Sequence, residues 1–203
     1  MTASDEATAL IWYTAWIREC RRVIKDTGCL WTFMSWRSAA TFQKASADAR
    51  WPIESMLVWD KDWIGPGGHK GLRPSYELVA LWAGASFAID DRGLPDIRKE
   101  PWSSQKPNGH PAEKPIGLLR WLLDISAKPG AIVADPFCGS GTTLAAAAQA
   151  GMEWVGCDLD PAWAAYAQER AEKAAPRTAR PDEQQGALFG GERRHDDAPG
   201  GVP

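Results

Sequence analysis

The stretch Ala131 to Thr143, AIVADPFCGSGTT, constrains the fold more than any other part of the chain. A short apolar run (Ile132, Val133, Ala134) ends in Asp135-Pro136, turns through Gly139-Ser140-Gly141 and enters an alanine-rich segment. That order predicts a strand, a tight glycine turn and a helix start. The glycines admit positive φ and let a ligand approach without a Cβ in the way. Unbonded N–H groups and the positive end of the helix then face that ligand. Asp135 falls at the carboxyl end of the strand, where open α/β sheets bind ligands. A phosphate-gripping loop would need Lys and then Ser or Thr after its last Gly, whereas Thr142-Thr143 follow Gly141. The dinucleotide pattern GxGxxG fails as well, because only Gly139 and Gly141 are present.

The run Asp135-Pro136-Phe137-Cys138-Gly139-Ser140-Gly141-Thr142-Thr143 resembles the S-adenosylmethionine (SAM) motif of the DNA methyltransferases that modify the exocyclic amino group of adenine or cytosine. The resemblance implies a Rossmann-like α/β fold, with a mostly parallel sheet and helices on both faces. It also implies that Asp135, Pro136, Phe137, Gly139, Ser140, Gly141 and Thr142 bind the cofactor, the turn wrapping its methionine part. His110-Pro111-Ala112-Glu113-Lys114-Pro115 resembles the family's His-Pro-x-x-Lys-Pro segment, which implies that His110 and Lys114 line the same pocket. On residue chemistry alone that segment is a capped helix start, with Pro115 suited to the first helical turn. Asp158 ends the predicted strand Glu153 to Cys157, about 20 residues after the glycine turn, where an acid meets a ribose hydroxyl pair in this layout.

Upstream, Leu10, Tyr13, Ile17, Cys20 and Ile24 recur at helical spacing, predicting a helix from Ala9 that stops at Asp26-Thr27-Gly28, with Gly28 left-handed. Met1 to Thr8 reads as frayed. Strands are expected at Cys29 to Ser35, Ile53 to Trp59 and Tyr76 to Ala83, with a helix over Ser38 to Ala49. The first helix, turn and strand resemble a unit that these methyltransferases carry after their catalytic motif. Trp59-Asp60-Lys61 resembles a signature of phage-type members, and Glu77 stands where members often have a glutamate. The glycine-rich loop Gly65 to Gly71 could close over DNA, with Lys70, Arg73 and His69 near phosphates. Positions 60–109 would hold target recognition, with Arg92, Arg98, Lys99 and Lys106 as further DNA contacts and no regular structure over Asp90 to Gly109. Helices are predicted at Ile116 to Ala127, at Thr142 to Ala150 with a stop at Gly151, and at Ala162 to Ala174 with Asp160 as N-cap and Pro161 at N1. From Ala175 the composition is polar and proline-rich, as in disordered tails. Within it Leu188-Phe189 could form a docking peptide. The organisation expected is therefore a methyltransferase domain over 1–174, incomplete at its N-terminus, and a disordered tail over 175–203.

The 203 residues suffice for one domain with a core, and the formal charge of −3 advertises no global basic field. Most of the twelve tryptophans are expected in the core. The four cysteines show no metal spacing and read as reduced, in a cytoplasmic protein without signal or membrane segment. No metal site is expected. The resemblance implies double-stranded DNA as partner, a restriction–modification or phage setting, and direct methyl transfer in which Cys138 is not a nucleophile. It also exposes a gap. The family's catalytic Asp-Pro-Pro-Tyr should precede the first helix, and no x-Pro-Pro-aromatic occurs anywhere in the chain. No catalytic residue is therefore assigned. The true N-terminus is absent, or a partner chain supplies the motif, or the gene is decayed. The alternatives are a SAM-binding fragment or subunit without catalysis, and a methyltransferase acting on RNA or a small molecule.

Overall fold

A computed structural model describes residues 3–65, 70–102, 109–110 and 112–174. The elements run α1 (Ala3–Val23), β1 (Cys29–Met34), α2 (Trp36–Asp48), β2 (Ser55–Asp60), β3 (Tyr76–Ala83), β4 (Ile97–Lys99), α3 (Ile116–Ser126), β5 (Ile132–Asp135), α4 (Thr142–Gln149), β6 (Glu153–Gly156) and α5 (Pro161–Glu172).

α1 begins well before Ala9, so the stretch expected to fray is helical from Ala3. Asp5 and Glu6 in its first turn, and Arg21 and Arg22 in its last, complement the helix dipole. It ends at Val23, and Gly28 closes a separate turn by donating its N–H to the Lys25 carbonyl at 2.9 Å. Gly28 is not among the glycines with positive φ, so the left-handed stop expected there is absent, whereas Gly151 beyond α4 does take φ +67°. Pro115 lies just outside α3 with ψ 133°, at the cap rather than in the first turn. Asp160 caps α5 as expected, accepting the Ala162 N–H at 2.8 Å.

The expectation of a mostly parallel sheet is corrected. One sheet has the order β1-β3-β2-β4, and a second pairs β5 with β6. β3 is antiparallel to both β1 and β2, whereas β2–β4 and β5–β6 are parallel. Among the described residues no helix lies between β2 and β3, and the antiparallel pairing needs no crossover. α2 carries the chain from β1 to β2 in the same direction, and β3 inserts between them. β4 falls inside the segment expected to be irregular.

Helices cover both faces of the larger sheet. α1 and α2 pack on one face through Ile17, Phe42 and Ala45 against Met34, Ala80 and Trp82. α3 covers the other, where Leu118, Leu119 and Leu122 meet Leu57, Trp59 and Val79. The same apolar cluster continues through Ala146, Ala147 and Met152 to Val133 and Trp154, so α3 is the seam between the two sheets. The three buried tryptophans among the described residues donate hydrogen bonds: Trp51 Nε1 to the Ala83 carbonyl (2.7 Å), Trp59 Nε1 to the Glu100 carbonyl (2.7 Å) and Trp82 Nε1 to Ser46 Oγ (3.1 Å). Trp12, Trp36 and Trp63 are exposed and the other tryptophans at least half-buried. Among the described residues no helix is long and apolar enough to cross a membrane.

Candidate functional site

The βαβ unit β5–α4–β6 builds the site, because its parallel pairing brings the ends of β5 and β6 side by side. The turn after β5 is fixed by short bonds. Asp135 Oδ1 accepts the Phe137 N–H at 3.0 Å, and the Cys138 carbonyl accepts the Gly141 N–H at 2.7 Å. The Cys138 N–H donates to the Cys157 carbonyl at 3.0 Å, and Cys157 Sγ donates to the Pro136 carbonyl at 3.4 Å.

Asp158 closes the arrangement. Its Oδ2 accepts the Gly139 N–H at 2.9 Å and its Oδ1 accepts the Asp160 N–H at 3.0 Å. These N–H donors, Asp160 first and Gly139 second, hold the carboxyl below the usual aspartate range, and the nearby His110 adds to the effect. The acid predicted to meet a ligand thus also braces the turn. Each carboxylate oxygen keeps a further lone pair for another donor.

The two turn glycines serve different ends. Gly139 has φ +47°, and a Cβ there would stand 2.8 Å from His110 Nε2. His110 therefore lies directly against the turn, its ring edge-on to Trp163 at 4.7 Å and its Nδ1 accepting the Ala112 N–H at 3.3 Å. Gly141 has φ +72°, and its Cβ would stand 2.6 Å from Ala167 Cα. The bare Cα at this position lets α5 seat on the turn.

Ser140 and Thr142 are buried, their hydroxyls 3.4 Å apart. Arg170, which sequence reading passed over, holds both. Its Nη1 donates to the Ser140 carbonyl (2.9 Å), to Ser140 Oγ (3.4 Å) and to Thr142 Oγ1 (3.3 Å). Its Nη2 pairs with Glu113 Oε1 at 3.0 Å. Cys138 is buried, and desolvation first, then the charges of Asp135 and Asp158, pushes its thiol up to about 11. It stays protonated at neutral pH, the opposite of what a nucleophile needs.

Phe137 stands in the open, 58% exposed, with the rings of Trp12 and Trp16 of α1 at 6.0 and 6.4 Å. The sequence carried a signal for this pair, two tryptophans four residues apart on one helix face. The ammonium of Lys114 is held over the larger sheet. It pairs with Glu77 Oε2 at 3.1 Å, above the rings of Phe33 (5.2 Å) and Trp59 (5.8 Å). Lys61 pairs with the other oxygen of Glu77 at 3.4 Å. The segment 110–114 thus sends His110 to the turn, Glu113 to Arg170 and Lys114 to the sheet.

The residues expected on DNA are scattered. Lys70 is exposed. Arg73 is exposed too, but its guanidinium binds the carbonyls of Gly65 (2.8 Å) and Ile64 (3.1 Å), tying the base of its own loop. Lys99 pairs with Asp62 at 2.8 Å, and Arg98 with Glu100 at 3.7 Å over the Trp121 ring. Arg92 is exposed. His69, Lys106, Pro111, Leu188-Phe189 and the tail over 175–203 lie outside the described residues. Among the described residues no group of three or more His, Cys, Asp or Glu side chains is arranged to hold a metal ion.

A family model described as DNA methylase matches residues 2–169. The chain is 31% identical over 148 residues to YubD of Escherichia coli (strain K12), covering 73% of this chain and 63% of YubD. It is 28% identical over 183 residues to the DNA adenine methyltransferase YhdJ of the same organism, covering 73% and 62%. The chain therefore spans somewhat under two thirds of the length of these relatives. Among solved structures, the M1.HpyAVI–SAM complex superposes with a TM-score of 0.66 at 22% identity, over 77% of this chain and 80% of that one. That likeness establishes a shared fold.

Proposed function

Because the chain belongs to the DNA methylase family, we propose that its 1–174 unit serves to transfer a methyl group from SAM to the exocyclic amino group of adenine, or of cytosine, in double-stranded DNA. The observation that carries the reading is the joint placement of Asp135, Gly139 and Asp158 at the adjoining ends of β5 and β6. YhdJ is named an adenine methyltransferase, which favours adenine.

The residues present fit the cofactor. Asp158 has acceptor capacity left for ribose hydroxyls. The N-terminus of α4 and its turn offer a positive end toward a carboxylate. His110 lies against the turn at Gly139, and Phe137 stands exposed beside it. When bound, SAM supplies an electrophilic methyl group on a sulfonium. The protein's part is then to hold the amino-acid end at residues 139–142 and the ribose at Asp158. Asp135, Pro136 and Thr142 shape this floor, and Lys114 anchors the His110 segment on the sheet. Lys70 is the exposed cation offered to a DNA phosphate. A cytoplasmic setting within restriction–modification or phage DNA belongs to the same reading.

The family's x-Pro-Pro-aromatic motif is not among these 203 residues, so transfer requires it from a segment outside them or from a partner chain. The alternative is cofactor binding without transfer. Calorimetric titration with SAM tests the shared premise: Asp158→Ala and Asp135→Ala should each weaken binding about tenfold or more, the scale of a lost charge-assisted hydrogen bond. Wild-type affinity in both variants would sink the site. Labelled methyl transfer to DNA by the same protein separates the two readings.

A further inference from the structure

Residues 110–114 and 139–142 lie some thirty positions apart, and one guanidinium joins them. Nη1 of Arg170 serves the Ser140 carbonyl and the hydroxyls of Ser140 and Thr142, while Nη2 serves Glu113. The group is secluded: the Glu113 side chain is 14% exposed and that of Arg170 25%. Ser140 precedes the N-cap of α4, so its carbonyl has no place in the helix ladder. Arg170 provides the partner that this carbonyl needs. One turn earlier on α5, Ala167 sits against Gly141. α5 thus grips the turn at two successive levels, by contact at Ala167 and by hydrogen bonds at Arg170.

We propose that Arg170 is a positioning residue for the cofactor pocket, with Glu113 as its relay. It makes the glycine turn and the His110 segment move as one body, so that His110 stays seated on Gly139. The inference rests on the reading of residues 139–142 as a cofactor turn and goes beyond it in assigning the pocket's geometry to a residue outside both motifs. Arginine suits the task because its planar fork serves two partners at once in fixed directions, which a lysine cannot do.

Hydrogen exchange of the whole chain without SAM tests the coupling. Arg170→Met should raise exchange in both 110–114 and 139–142 while leaving the middle of α4 protected. Faster exchange in only one of the two segments, or in neither, would overturn the proposal. Glu113→Ala should loosen the same two segments, whereas Glu113→Gln, whose amide oxygen still accepts from the guanidinium, should stay close to wild type. Calorimetry with SAM then reads the consequence. Arg170→Met and Arg170→Lys should each lose about tenfold in affinity, the scale of a lost charge-assisted bond, and Arg170→Met/Glu113→Ala should lose no more than Arg170→Met alone. Wild-type affinity in Arg170→Met despite loosened segments would overturn the role in the pocket. If the wild-type chain binds no SAM, the cofactor reading fails and the role in the pocket with it, while the exchange pattern still decides the coupling.

Discussion

Asp158 shows how one side chain can brace a turn and remain available to a ligand. Its two backbone donors favour the charged form, so its folded-state pKa lies below the unfolded value. The sign follows from linkage: a depressed carboxyl stabilises the fold above the unfolded pKa, and that contribution is lost as pH falls through the folded one. A carbon-detected NMR titration should therefore place the Asp158 midpoint below that of a free aspartate, about 3.9. Asp158→Asn should flatten the acid limb of a stability–pH curve at that point. A midpoint at or above the free value would mean that the Gly139 and Asp160 bonds do not form in solution.

At the scale of elements, α3 joins the two sheets through one apolar cluster. Leu118 is fully buried where the helix meets the larger sheet, and the same cluster runs on to α4 and β5. Leu118→Ala should cost about 2–5 kcal/mol in urea unfolding, as for large cavities at close-packed sites. Elements whose signal is local were legible in the sequence. The glycine turn, the cap at Asp160 and the apolar stripe of α1 each follow from neighbours within four residues. What escaped depends on distant partners. Parallel or antiparallel pairing of β1, β2 and β3 is settled by which edge the chain returns to, and β4 has three residues with both ends exposed. The candidate site divides in the same way: that Asp135, Gly139 and Asp158 come together was readable because the βαβ unit is contiguous. Arg170 was not, because a cation late in a helix looks the same whether it meets solvent or a buried carbonyl.

At the scale of the molecule, the coverage of the two sheets is uneven. On β5 and β6, Val133 and Trp154 face the core, while Ile132 and Val155 on the other side are 61% and 55% exposed. Exposed apolar side chains gathered on one sheet face bind hydrophobic dyes. Val155→Lys should lower dye fluorescence of the native protein while changing stability by less than about 0.5 kcal/mol, the range of surface substitutions. Strong destabilisation would mean that this face is covered in solution. The seam at α3 has its own consequence for a chain emerging from the ribosome. All four strands of the larger, mixed sheet, with α1 and α2, precede α3 in the chain, and α3 can dock on them at once. Its remaining apolar contacts must then wait for about thirty more residues, until α4 and β6 arrive. Translation pauses within that interval should prolong the exposure of the Leu118–Leu123 stripe and make this the stage at which a nascent chain most needs a chaperone.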